Sequence, residues 1–390
     1  MQFAFNLSIF LTGLTLSLAF FCFLFDRSLR QSENTSQFSQ EIVELFYLGF
    51  IKVFTLSLFT TFMAMPIIAC VVAYRSLENW LVAADELSII SFGISAWFAA
   101  TGTYTVIMAL RKKKNGQENY ISIMPVDAPE LFAQNDELAR QFGSKPIKLV
   151  HLVPDSRVRI KHEINRLDDI YYGGKKYWEI GLAALQFLSV ADLKVLMATE
   201  YARLSPNRPK SVLFVARLRI RFENISFNME QAGFAAMLNP AGWFIALADY
   251  VIPQITAKAG ELEEALAKDD VTRLYGESAY YQAIARNNIE STVYQDIIEV
   301  SKMRRGLGVP ALSNIYQYIR TDRRYAALSR LAAENVVKSD NRKSGRQSLM
   351  LKRSPEIAYL EPMIETPASN ILANRELTER RMMDLINHGQ

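Results

Sequence analysis

In the stretch LSVADLKVLMATEYARL, residues 188 to 204, one carboxylate stands where it could do chemistry. Glu200 follows Thr199 and precedes Arg203 by three places, so positions 199 and 203 are one helical turn apart. Imidazoles at two such positions would share a face and grip one zinc ion, and the carboxylate between them would polarise the bound water. Threonine and arginine are unattractive in that part, because a guanidinium has no lone pair to offer at all. A glutamate on an amphipathic helix is also an ordinary surface residue, so the surrounding elements must decide what Glu200 is for.

Histidine is scarce. His151, His162 and His388 are the only three in the chain. HEINR, residues 162 to 166, copies a zinc motif up to its last letter, where Arg166 stands in the ligand position; it precedes the second extended segment and reads as coincidence. His151 falls in an extended run and reads as a packed or hydrogen-bonded residue. Dispersed imidazoles with one carboxylate make no tight zinc site. Cys22 and Cys70 both lie in apolar segments, so no disulfide framework or zinc finger can be built from them. The net charge of +4 comes with no aromatic and basic reader motif, which argues against nucleic acid as a partner.

Half of the 390 residues are hydrophobic, and the first 110 hold three long apolar segments. Phe3 to Phe25 carries no charge and reads as a retained helix, since nothing basic precedes it and it is longer than a signal-peptide core. Val53 to Tyr74 follows, with Pro66 as a kink, and then Leu87 to Leu110, closed by Arg111, Lys112, Lys113 and Lys114. Such a basic cluster stays on the cytoplasmic side. Three crossings then place the N-terminus outside, the loop of residues 26 to 46 with Arg27 and Arg30 inside, and Arg75 in the outer loop. Ser91, Ser95, Ala99 and Thr103 recur every four residues and offer a narrow face for close helix packing.

From about Glu118 the pattern is that of a soluble domain. A helix is expected over Asp127 to Gly143, a strand with a turn over Pro146 to Asp155, and a second extended segment over residues 175 to 185, before the helix of Glu200. A long helix covers 208 to 230. The apolar run from Ala232 to Ile255 is interrupted by Asn239, Pro240, Asp249 and Pro253 and reads as a pair of short interfacial helices, with Trp243 and Phe244 at a headgroup boundary or in plain core. A charged helical region over 258 to 287 breaks near Gly276, and another follows over 289 to 335. Residues 338 to 354 are basic and serine-rich and read as a solvated linker, with anionic headgroups as the other reading of their charge. An amphipathic helix over Ala368 to Asn387 is expected to dock back. The chain thus divides into an anchor of three helices (1 to 114), a domain (115 to 335), a linker (336 to 355) and a tail (356 to 390).

Taken in order, the anchor, the amphipathic helix, the strand ending HLVPD, the segment GLAALQFLSVADLKVLMATEYARL and the later ELEEALAKDDVTRLYG resemble the membrane zinc metalloproteases of the HtpX-like and CAAX prenyl protease group. The resemblance covers roughly residues 118 to 310. It implies an α+β class, with three transmembrane helices before a mainly helical zincin-like domain that carries a small sheet. By this resemblance Thr199 and Arg203 match the two histidine ligands and Glu200 the general base. Counting back from Gly276, Glu264 matches the third ligand and Lys268 the aspartate that supports it, with Glu261 as the ligand if the register slips. Zinc is expected in the family and not expected here.

Arg203 is expected to fill the cationic place of the ion by pairing with Glu264 or with Glu200. Three functions follow. The chain is an inactive pseudopeptidase in the bilayer, binding a protein segment in the former substrate groove, whose edge strand lies near residues 175 to 182, or regulating a partner; or an active endopeptidase with non-standard ligands; or a structural membrane component. The resemblance also implies a bacterial inner membrane, with the large domain cytoplasmic.

Overall fold

The computed structural model describes residues 37–83, 86–111, 120–164, 167–206, 208–233, 239–306, 314–317 and 367–388, with a few positions between 13 and 24. The apolar segment of residues 3 to 25 and the linker of residues 338 to 354 therefore lie almost wholly outside the described residues. In chain order the elements are α1 (Gln37–Ala83), α2 (Glu86–Leu110), β1 (Ile121–Ile123), α3 (Pro129–Gln141), β2 (Val150–Val153), β3 (Val158–Glu163), α4 (Leu167–Tyr172), β4 (Lys175–Gly181), α5 (Leu182–Phe187), α6 (Val190–Arg203), α7 (Lys210–Ala232), α8 (Pro240–Ile255), α9 (Ala257–Tyr275), α10 (Glu277–Gly306) and α11 (Arg375–His388). The class is α+β, largely helical with one small mixed sheet.

Two compact units share the chain, and they do not follow its order. The first takes residues up to Lys114 and adds His162–Lys175 and Arg208–Glu263; the second takes Asn115–Lys161, Lys176–Asn207 and everything from Glu264. A single cut at residue 114 therefore misplaces α4, α7 and α8. The reason is compositional: the inward faces of α7 (Phe214, Leu218, Phe222, Ile225) and α8 (Phe244, Ile245, Ile252) are apolar enough to join Phe54, Leu58 and Phe62 of α1 in one cluster.

In this first unit α1 is one helix of 47 residues that carries Pro66 inside it. Its apolar stretch, Leu45–Val82, and that of α2, Ile89–Leu110, are long and apolar enough to cross a membrane. Arg75, expected in an outer loop, is instead on α1, one turn from Glu78 and 3.0 Å from it. Hydroxyls within the stretch donate to their own helix: Thr55 to Ile51 O at 2.7 Å and Thr61 to Ser57 O at 2.8 Å. The stripe of Ser91, Ser95, Ala99 and Thr103 is not the packing face of α2. Ser91 and Thr103 are exposed, and the buried positions are Ala99, Thr101, Gly102, Thr105, Val106 and Ala109.

Where a pair of short helices was expected over residues 232 to 255, α8 is a single helix from Pro240, and residues 234 to 238 lie outside the described residues. Asn239 caps α8, its Oδ1 accepting from Ala241 N at 2.7 Å.

The second unit is built on a sheet of order β1-β2-β4-β3. β1 runs antiparallel to β2, and β2 parallel to β4 with Val150 opposite Trp178 and Leu152 opposite Ile180. β4 is therefore an interior strand, not the edge expected near residues 175 to 182; the edges are β1 and β3. Tyr177, Trp178 and Ile180 of this interior strand and the following Leu182 are buried and apolar, and the buried Glu179 between them is the exception. β4 can end against the turn at residues 155 to 157 only because Gly181 has no Cβ: one built there would lie 2.1 Å from Asp155 O.

His162 and Glu163, placed before the second strand in sequence, belong to β3 itself. The expected helix over 127 to 143 begins at Pro129, and Asp127 instead accepts from Met124 N at 3.0 Å in the turn before it. The break at Gly276, with φ of +88°, separates α9 from α10 where the sequence places it. The C-terminal α11 does dock, burying Met382, Met383 and Ile386 in the core of this unit.

Candidate functional site

Helix α6 starts where local chemistry demands. Ser189 is its N-cap: Asp192 N donates to Ser189 Oγ at 3.0 Å and Ser189 N donates to the Asp192 carboxylate at 3.3 Å, a reciprocal capping box. Arg286 of α10 then donates to the same carboxylate. Leu193, Met197, Ala198, Tyr201 and Ala202 are buried and hold α6 in the core. The next turn sets Thr199, Glu200 and Arg203 relative to the sheet.

Thr199 is buried and its hydroxyl donates to Val195 O of its own helix at 2.9 Å. Glu200 is bound from two sides: Arg203 Nη1 donates to Oε1 at 2.7 Å, and the backbone N–H of Ile160, on edge strand β3, donates to Oε2 at 3.0 Å. Of the two partners expected for Arg203, Glu200 is the one at ion-pair distance. Burial pushes the Glu200 carboxyl above its ordinary range; the charge of Arg203, the Ile160 N–H and the charge of Arg159 pull against it without reversing it.

Arg159 and Lys161 extend the network along β3. Both bind Glu179 of β4, Arg159 Nε to Oε2 and Lys161 Nζ to Oε1, each at 2.8 Å. Burial of Glu179 would raise its carboxyl, but the hydrogen bond from Lys161 and the charge of Arg159 hold it below the usual range. Two carboxylates thus flank one edge strand with opposite shifts. The difference is in the donors: Glu179 has two cations within hydrogen-bond distance, and Glu200 has one cation and one amide.

The positions assigned on α9 are less enclosed. Glu264 is exposed, and so is Glu261, which belongs to the first unit. Lys268 lies with its Nζ 5.0 Å from the centre of the Tyr281 ring. The residue that senses both halves of the site is Tyr280, which sequence reasoning missed. It is 4% exposed, and burial first, then the charge of Glu264, push its hydroxyl up to about 12 while Arg203 pulls it down. Its signal was weak: one tyrosine in SAYYQAIAR, four places past Gly276.

His151 is packed and hydrogen bonded as expected, its Nδ1 3.0 Å from Ser122 Oγ and its ring between Tyr120 and Tyr177.

A second missed constellation is structural. Asn135 Oδ1 accepts from Trp178 Nε1 at 2.8 Å and from the Tyr201 hydroxyl at 2.7 Å, and its Nδ2 donates to Ile147 O at 3.2 Å. The Ile147 N–H closes the ring on the Tyr201 oxygen. Asn135 shares the buried face of α3 with Leu131 and Leu138, so a polar residue on that apolar stripe was the available sign.

Zinc does not fit the positions that the resemblance assigns to it. Thr199 turns its hydroxyl to its own helix, Arg203 offers only donors, and among the described residues no three His, Cys, Asp or Glu side chains group as metal ligands. No family model, curated protein or solved structure matches the chain.

Proposed function

We propose that this chain is a membrane-anchored, non-hydrolytic relative of the HtpX-like and CAAX prenyl protease group, which acts by holding a protein segment or regulating a partner. The reading rests on one arrangement, Glu200 taken up by Arg203 at 2.7 Å and by the Ile160 amide at 3.0 Å. A general base works on a bound water, and here each oxygen of the carboxylate already accepts from a protein donor, one of them a cation. The two apolar helices α1 and α2 form the anchor. The basic cluster Arg111 to Lys114, just past α2 in sequence, supports a cytoplasmic side for that end.

The seat for an extended segment is β3, the edge strand beside Glu200. A peptide adding to that edge uses main-chain hydrogen bonds, and it must take the Ile160 N–H from Glu200. Freeing the amide should therefore tighten binding.

Three measurements test the reading on purified full-length protein. Metal analysis after dialysis should find no stoichiometric zinc, and casein should survive incubation with and without added zinc. Photo-crosslinking from Arg159→Bpa on β3 should capture peptide, more of it when Glu200 is Ala. Zinc-dependent cleavage that Glu200→Gln abolishes would establish the endopeptidase instead; crosslinking that never reaches β3 would leave the chain a structural component.

A further inference from the structure

Helix α8 carries a second and independent surface. One side packs into the first unit: Ala241, Phe244, Ile245, Ala248, Ile252 and Ile255 are all buried. The other side is also apolar at its start, where Trp243 is 59% exposed and Leu247 47% exposed, one turn apart. Towards the C-terminal end the exposed positions become amphipathic or polar, with Asp249, Tyr250 at 68% exposed, and Gln254.

Both ends of α8 are tied to the apolar helices of the same unit. Asn239 Nδ2 donates to Thr105 Oγ1 of α2 at 3.2 Å, and the Tyr47 hydroxyl of α1 donates to Ile255 O at 3.0 Å. Thr105 lies five residues, roughly 7 Å, inside the Leu110 end of the α2 apolar stretch. The start of α8 is thus level with hydrocarbon, not with headgroups, if α2 crosses.

A helix end at that depth must satisfy its own main-chain donors, because no water reaches them. The first residues of α8 do so. Pro240 has no N–H, Ala241 N donates to Asn239 Oδ1, and Gly242 N and Trp243 N donate to Asn239 O at 2.9 and 3.2 Å. At the other end Ile252 O accepts from Thr256 Oγ1 at 2.6 Å, and Arg219 donates to both the hydroxyl and the carbonyl of Thr256. The guanidinium marks the polar end, and the neutral cap marks the buried one.

We infer that α8 is an obliquely inserted membrane helix that does not cross: its Asn239 end sits in the hydrocarbon of the leaflet adjoining Leu110 and its Thr256 end in the headgroups, with Trp243 and Leu247 facing acyl chains. Its occupant is lipid, because the exposed face continues the exposed apolar residues of the helices it is bonded to, such as Ile107 of α2 and Val53 and Leu56 of α1. The proposal concerns the first unit alone and stands or falls apart from the role of Glu200.

The test uses the full chain in phosphatidylcholine and phosphatidylglycerol vesicles. Trp80→Phe and Trp97→Phe leave Trp178, which is fully buried, and Trp243 as emitters. Lipids brominated near the glycerol end of the acyl chain should quench most of the Trp243 emission, taken as the difference from a Trp243→Phe control, and aqueous iodide should leave it unchanged. On a background with Cys22→Ser and Cys70→Ser, Leu247→Cys should resist a membrane-impermeant maleimide that labels Gln254→Cys. Quenching by iodide would place the face in water and overturn the proposal. Protection from both iodide and bromolipid would overturn it too, by showing that a protein, such as a second copy of this chain, covers the face.

Discussion

The two units solve the same problem, burying polar groups, in different ways. In the second unit the buried carboxylates are paired with cations: Glu179 with Arg159 and Lys161, Asp192 with Arg286, and Glu379 with Arg375, which shares it with the amides of Gln186 and Asn314. In the first unit no carboxylate is buried among the described residues; its buried charges are the guanidiniums of Arg208 and Arg221, and neutral side chains donate to main-chain carbonyls, as Asn228 does to Ala109 O and Arg111 O, Asn224 to Ile164 O, and Tyr47 to Ile255 O. A charge pair is tolerable where water can reach its rim, but neutral donors serve better where the surroundings are apolar.

The comparison breaks most sharply at Trp178. Trp178→Ala removes a fully buried ring and orphans the Asn135 carbonyl oxygen of one hydrogen bond, and should destabilise the second unit by about 3–5 kcal/mol. Thermal melts should show the near-ultraviolet circular dichroism transition, which reports aromatic packing, move down while part of the far-ultraviolet helical signal persists to higher temperature. A single shared transition would mean that the units are not thermodynamically distinct.

Glu179→Gln should follow, at about 1.5–3 kcal/mol near neutral pH and towards the low end because Arg159 is partly exposed. The sign with pH is fixed by the lowered carboxyl of Glu179: its stabilisation is present above the ordinary carboxylate range and is lost as pH falls through the folded value. Glu200 runs the other way, since a raised carboxyl favours folding below the ordinary range and loses that contribution as pH rises through the folded value. In denaturation from pH 2 to pH 8, Glu179→Gln should flatten the acid limb, and Glu200→Gln should remove a decline towards neutral pH. Identical profiles for the two variants would contradict the opposed shifts.

Two smaller effects sharpen the contrast. Ser189→Ala removes the cap of α6 and should cost about 1 kcal/mol. Asn228→Ala in the first unit should cost about the same, but without dependence on salt or pH, since no ionised group takes part. A salt-sensitive Asn228→Ala variant would contradict the division drawn between the units.

Much of this was legible in the chain. Apolar length marked α1 and α2, and Gly276 marked the break after α9, because each is a local rule written in consecutive residues. β1 and β3 were not legible: ISI is only three residues long, and VRIKHE alternates with charges whose partner, Glu179, is on another strand. The interior place of β4 is likewise set by pairing, which no single segment encodes. At the site, the ion pair of Arg203 could be anticipated from the helix spacing to Glu200. The Ile160 amide could not, since it comes from a strand forty positions away.

The interleaving of the units bears on how the chain emerges from the ribosome. α1 and α2 are made long before α7 and α8, which complete their packing, and the second unit waits for Met382 and Glu379 on α11. Contacts so far apart in sequence close late during synthesis. A transcript truncated just after α9 would yield a finished bundle of helices joined to a sheet still lacking its last cover.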